Sequence, residues 1–145
     1  MNETIIQFIK KQTSASVCSI NEQGNPYCFS CFYVFNSQDG LLYFKSSAAA
    51  RHSMNLSKKS AVAGTILPDN LNVLLVKGIQ FEGIVLPQNG PLVKQAAVQY
   101  YKKNPAALAM PGEIWVIQID SIKMTDSTFG FGKKINWKRE AESVQ

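Results

Sequence analysis

Residues 41–56, LLYFKSSAAARHSMNL, gather Lys45, Ser46, Ser47, Arg51 and His52, the chain's only histidine. Two hydroxyls, two permanent cations and an imidazole within eight positions could hold an anion. The stretch reads as a strand that passes into a helix, so backbone N–H groups of a helix N-terminus would point at the same place. Spacing alone favours a plainer reading, in which Ser46 or Ser47 caps the helix and Lys45, Arg51 and His52 lie in solvent. Both readings stand at this point.

Other reactive groups give weaker signals. Cys28 and Cys31 spell C-x-x-C, and Cys18 makes the cysteine count odd. PYCFSCFYVF is rich in aromatic and β-favouring residues, and positions three apart on a strand face opposite ways, so these sulfurs diverge and all three thiols are expected buried and reduced. A multi-histidine metal centre is excluded by the histidine count, and no G-x-S-x-G, Walker or G-x-G-x-x-G signature occurs. Asp120 and Asp126 would share a strand face by their even spacing, but solvated strand-edge carboxylates explain them more simply than a paired-acid site. The net charge is +5 with dispersed Lys and Arg, except Lys133, Lys134, Lys138 and Arg139 near the end. Aromatics interleave with bases in GFGKKINWKRE, which keeps an RNA-associated module open as a minor alternative. Packing of Phe129, Phe131 and Trp137 against the barrel or a partner subunit is the expected role of this tail.

The elements that would position these groups follow from pattern. With 145 residues, 46% hydrophobic and 17% charged, the chain is expected to be one domain, 1–145, with 128–145 as a C-terminal tail. The N-terminus, MNETIIQFIKKQ, lacks the form of a secretory signal and reads as an amphipathic helix over about 3–12. SAVAGTILPDNLNVLLVKG is interrupted at Pro68, Asp69 and Asn70 and cannot supply the roughly 20 apolar residues of a membrane helix, so a soluble, cytoplasmic protein is expected. Strands are expected over about 14–21, 26–36 and 41–46, the last two joined as an antiparallel hairpin through NSQDG. On the second of these, Tyr27, Phe29, Cys31, Tyr33 and Phe35 form one face and Cys28, Ser30, Phe32 and Val34 the other, which predicts cover on both sides. AAARHSMNLSKK predicts a helix and SAVAGTIL a fourth strand. VLLVKGIQFEGIVL predicts a long fifth strand whose Gly78 and Gly83 mark a bulge, a bend or a close approach. LVKQAAVQYYKKNP is expected helical, Pro105 and Pro111 bracket a shorter piece, and EIWVIQIDSIKMTD is a sixth strand. Six strands with few helices predict a small barrel.

The order of a short helix, an aromatic hairpin, YFKSS...RHSMNL, SAVAGTI, VKGIQFEG and IWVIQID resembles the FMN-binding split barrels related to pyridoxamine 5'-phosphate oxidase. The likeness covers about residues 3–126, and DSTFGFGKK is similar to a small, largely uncharacterised bacterial branch. It implies a mainly β, six-stranded antiparallel split barrel that binds FMN at a homodimer interface and serves as a flavin-dependent oxidoreductase of a small-molecule redox substrate. It further implies that Lys45, Ser46, Ser47, Arg51 and His52 hold the FMN phosphate and ribityl chain and that Ser30, Cys31 and Phe32 face the isoalloxazine. Gln80 would bond the ring's polar edge, and Trp115 from a second subunit would close the pocket. His52 stands where family members often carry Lys, so charge at the phosphate would vary with pH. Nothing in FGFGKKINWKRE matches the oxidase's Arg and His pair, which argues against oxidation of pyridoxamine phosphate. A non-catalytic flavin- or haem-binding member of the same fold remains the alternative.

Overall fold

The computed structural model describes residues 1–130 and 132–141, apart from the side chain of Phe129. Helix α1 (Glu3–Lys11) opens the chain. Asn2 caps it by accepting a hydrogen bond from the Thr4 amide at 2.8 Å, Glu3 opens its first turn, and Lys10 and Lys11 close its last. Its buried side chains are Ile5, Phe8 and Ile9, at the spacing of one helix face.

Strands β1 (Ser14–Ile20), β2 (Pro26–Asn36) and β3 (Leu41–Ser46) follow, then helix α2 (Arg51–Lys58), β4 (Ala61–Ile66), β5 (Lys77–Val85), helix α3 (Pro91–Lys103), a 3-10 turn (Pro105–Ala109) and β6 (Glu113–Asp126). The sheet order is β3-β2-β1-β4-β5-β6, all neighbours are antiparallel, and β3 also pairs with β6. That closure makes the expected six-stranded antiparallel split barrel. A further strand, β7 (Lys134–Lys138), lies beyond the six expected and pairs with β6 over Ser121–Thr125. Its source is the alternation of Ile135 and Trp137 with polar neighbours in the tail, a period-2 pattern too short to stand out among lysines.

Two apolar layers hold this barrel. Inside it, Val17, Phe35, Leu42, Phe44, Phe81, Ile117 and Ile119 pack with the buried face of α1. Outside it, α3 covers β3 and β6 through Ala96 and Tyr100 against Leu41, Tyr43, Val34 and Val116. Cover on β2's outer face stops at Val34: Cys28 and Ser30 are exposed and Phe32 is 74% exposed, contrary to the expectation of a strand buried on both faces.

Gly83 marks a bulge, as its place in the sequence predicts. The β5–β6 register slips there, with Glu82 opposite Ser121 and Gly83 opposite Ile119, so Asp120 has no opposite residue on β5. A Cβ on Gly83 would stand 2.1 Å from the Gln118 carbonyl oxygen. The extra residue reverses the alternation of β6, whose interior residues run 115, 117, 119 and then 122, 124, 126. Asp120 and Asp126 therefore do not share a face. Asp126 is 1% exposed, accepts from the Thr128 amide and hydroxyl, and stands 3.3 Å from the Lys77 ammonium. Its burial would raise the carboxyl pKa, but the Thr128 bonds and Lys77 outweigh that and hold it below its ordinary value.

The tail is fastened by Arg139. Its guanidinium donates to the carbonyls of Ile119, Asp39 and Gly40, each at 2.9 Å, and so ties the end of the chain to the β2–β3 turn. Trp137 is half-buried against the interior core, as expected of it, while Phe131 and the Phe129 side chain lie outside the described residues.

Candidate functional site at the split of the barrel

The ladder of β2 is lopsided. Residues 26–32 pair with β1, but only Tyr33–Asn36 pair with β3, so among the described residues the first half of β2 has no strand on its other edge. The Tyr33 amide bonds to the Thr13 carbonyl. Hydrogen bonding alternates along an antiparallel pair, so Cys28, Ser30 and Phe32 turn their backbone N–H and C=O groups toward the open edge. Here β3 leaves the sheet at Ser46 and the chain bends into α2, whose first turn sits beside this gap.

The bend is made locally. Ser47 accepts from the Ala49 amide on its hydroxyl at 3.2 Å and from the Ala50 amide on its carbonyl at 3.1 Å. Ser47 thus caps the turn rather than the helix, and the N-cap residue, Ala50, offers no side-chain acceptor. The first bond of α2 runs from the Met54 amide to the Ala50 carbonyl. The amides of Arg51, His52 and Ser53 have no protein acceptor among the described residues, the condition of a helix start at which anions bind. Both expected alternatives are thereby modified: the serines do not cap the helix, and the helix start stands open.

Side chains complete a polar and aromatic lining. The His52 imidazole stacks on Phe29 with centroids 3.9 Å apart and planes at 10°, and its Nε2 lies 2.6 Å from the Ser46 hydroxyl. Burial pushes its pKa below the ordinary value, so it is neutral at pH 7. Arg51 lies over the Tyr27 ring at 4.5 Å and is otherwise exposed, leaving its N–H groups available. Ser53 donates to the Ser46 hydroxyl at 3.4 Å, and the Trp115 indole donates to the Ser46 carbonyl at 3.2 Å.

No protein-family model matches the chain. A UPF0306 protein of Photorhabdus laumondii is 34% identical to it over 137 residues, which cover 94% of this chain and 95% of that protein. The chain belongs to the UPF0306 family. Among solved structures it is similar to a haem-binding protein from Mycobacterium smegmatis, with a TM-score of 0.74, 14% identity and coverage of 90% of this chain but 55% of that longer one. It is also similar to an FAD-binding protein from Mesorhizobium loti, with a TM-score of 0.65, 13% identity and coverage of 84% and 92%. At identities this low the likeness shows the shared fold alone.

In this UPF0306 protein the expected site residues divide into groups. Ser46, Ser47, Arg51, His52 and Trp115 meet at the split. Ser30 and Phe32 border it through the open edge of β2. Cys31 faces inward, where burial pushes its thiol up to about 12. Lys45 does not join the cluster: it alternates with Ser46, faces α3 and spends its ammonium on the Ala107 and Met110 carbonyls, each at 2.6 Å, and on the Tyr101 ring at 4.8 Å. Trp115 is 3% exposed within its own barrel and bonded to Ser46 there, so it is not presented at the surface to a second copy.

Gln80 also stands apart. It belongs to an exposed polar row that crosses the sheet as Ser30, Ser16, Thr65, Gln80, Lys123 and Asn136, and three strand spacings of about 4.8 Å put it roughly 14 Å from Ser30. Much of this row lines a groove of about 940 Å³. Tyr27, Phe29 and Ser53 are site residues that sequence reasoning did not select. Tyr27 and Phe29 look like any core-facing strand aromatics, and only the missing neighbour strand makes them a wall.

No helix among the described residues is long and apolar enough to cross a membrane.

Proposed function

We propose that this protein binds FMN, its phosphate at the start of α2 and its ring against the open edge of β2. The observation that carries this reading is the uncapped N-terminus of α2, whose first three amides lack a protein acceptor among the described residues and which lies beside Phe29, stacked on His52, and Tyr27, under Arg51. A phosphate dianion is strongly hydrated, and several charge-assisted bonds are needed to replace that water. The ring finds alternating backbone donors and acceptors at Ser30 and Phe32, matching the mixed edge of a flavin. Bound flavin supplies electron and hydride transfer, and a flavin-dependent oxidoreductase of a small-molecule substrate is the activity this reading supports. The chain's own residues bind, orient and shield.

FMN is favoured over haem by the state of His52. It is the only histidine, and its Nε2 is already bonded to Ser46 while its ring is stacked on Phe29. Axial ligation would break the first contact and strain the second. A homodimer is part of the same proposal. Phe32, Leu71, Val73 and Leu74 are 74%, 71%, 92% and 86% exposed, and the loop that carries the last three is tied to the strand beside Phe32, since Asp69 accepts from the Thr13 hydroxyl and amide. A second copy would cover that apolar surface.

The test is titration of apo-protein with FMN and with riboflavin, which lacks the phosphate. Arg51→Ala should weaken FMN binding roughly tenfold to hundredfold, the effect of one lost charge-assisted bond of about 1.5–3 kcal/mol. Riboflavin binding should barely change. An unchanged FMN affinity would remove Arg51 and the α2 start from the account.

A further inference from the structure

The C-x-x-C pair of β2 does diverge, as its spacing predicts, but Cys28 has another partner. It stands directly opposite Cys18 across the β1–β2 ladder. The phase set by the Tyr33–Thr13 bond makes this a non-hydrogen-bonded pair, in which opposing Cα atoms approach to about 4.5 Å. Disulfides span Cα separations of about 4.4–6.8 Å, so the backbone is already at bridging distance. The side chains agree: after burial, the neighbouring Cys28 thiol is the next cause that raises the Cys18 pKa, while the Cys18 thiol itself donates to the Ser19 carbonyl at 3.6 Å. Both thiols are free, Cys28 is exposed, Cys18 is half-exposed, and together they line one wall of the sheet groove. The expectation that all three cysteines are buried therefore fails for Cys28 and is met only in part by Cys18 and Cys31, which are half-buried.

We propose that Cys18 and Cys28 form a redox-active dithiol that low-molecular-weight disulfides oxidise to a cross-strand disulfide. Cys28, the more exposed, attacks first as its thiolate. The small disulfide's S–S bond breaks, one half leaves as a thiol, and the other stays on Cys28 as a mixed disulfide. Cys18 then attacks the Cys28 sulfur and expels the second half as a thiol. The protein loses two electrons and two protons, and the small disulfide gains both as two thiols. Cys31 takes no part, because it lies on the opposite face of β2, half-buried against the interior core. Neighbours of the pair along the sheet are Ala63 and Ser121, with Glu82 between them. Small side chains next to Cys18 leave room for a tripeptide-sized reagent to reach the sulfur. The site is independent of the flavin reading, since Cys28 faces away from His52 and Phe29.

Reduced full-length protein treated with oxidised glutathione should lose two hydrogens in intact mass and carry no glutathione. Peptide mapping should then join the peptides of Cys18 and Cys28. Cys18→Ser should instead retain one glutathione on Cys28, Cys28→Ser should be modified more slowly than wild type, and Cys31→Ser should behave as wild type. The proposal is overturned if wild type keeps a stable glutathione adduct, if only intermolecular disulfides appear on a non-reducing gel, or if the protein stays fully reduced while a reference surface dithiol is oxidised.

Discussion

Removing the Arg139 side chain should destabilise the fold without affecting any nucleic-acid affinity. In wild type the guanidinium bridges three carbonyls on two elements, Ile119 on β6 and Asp39 and Gly40 in the β2–β3 turn, all at 2.9 Å. Hydrogen bonds from a charged donor contribute about 1.5–3 kcal/mol each when well buried. Here the side chain is 30% exposed and the Asp39 carbonyl reaches water, so Arg139→Ala should cost less than the sum, about 2–4 kcal/mol. Of a total stability of about 5–15 kcal/mol this is a large share. Urea denaturation at fixed protein concentration measures it, and the midpoint should fall without a change in slope. Arg139→Lys should recover less than half, since one ammonium cannot serve three separated carbonyls. RNA binding at physiological salt should be the same weak background in all three proteins. A loss below about 0.5 kcal/mol would refute the clasp. Tight RNA binding that disappears with Arg139 would restore the basic tail as a binding site.

Gly83→Ala should cost about 1–3 kcal/mol in the same urea assay, because its Cβ would lie 2.1 Å from a backbone oxygen and the bulge must shift. Lys45→Met should lower stability by loosening the 3-10 turn yet leave FMN affinity within about twofold, as measured by the flavin titration, because its ammonium is held on the far side of β3. Half-buried His52 has a folded pKa below its ordinary 6.5 because of desolvation, so the native state binds fewer protons than the unfolded chain as pH falls through that value. Its contribution is complete above 6.5 and is lost toward the lower folded pKa. Ligand-free wild type should therefore lose more stability than His52→Gln between about pH 7.5 and about pH 5.5, read by thermal denaturation at each pH.

Strands that alternate strongly were legible down to their ends. β2, β3 and β6 occupy 26–36, 41–46 and 113–126, where aromatic and aliphatic residues recur at strand spacing between turn residues. The fifth strand starts later than its apolar run suggests: Val73–Val76 are as hydrophobic as a strand but lie exposed before Lys77. Composition there reports surface stickiness rather than β structure. The bulge was visible in Gly83, but its consequence for Asp126 was not, since one unpaired residue inverts every face that follows it. Lys45 misled for a related reason. Adjacent strand positions point apart, so a cation next to Ser46 in sequence is on the other side of the sheet in space. The Cys18–Cys28 pair needed the register, which no single strand's sequence contains. His52, Arg51 and Ser47 were legible because the strand-to-helix join brings them together locally.

The central claim, a phosphate-reading flavin site at the start of α2, is tested most directly by titrating wild-type apo-protein with FMN, riboflavin and haem under one set of conditions. FMN should bind at least about tenfold more tightly than riboflavin, the effect of gaining one or more charge-assisted bonds, and haem should not displace it. Equal affinities for FMN and riboflavin, or tight haem binding that excludes FMN, would contradict the account.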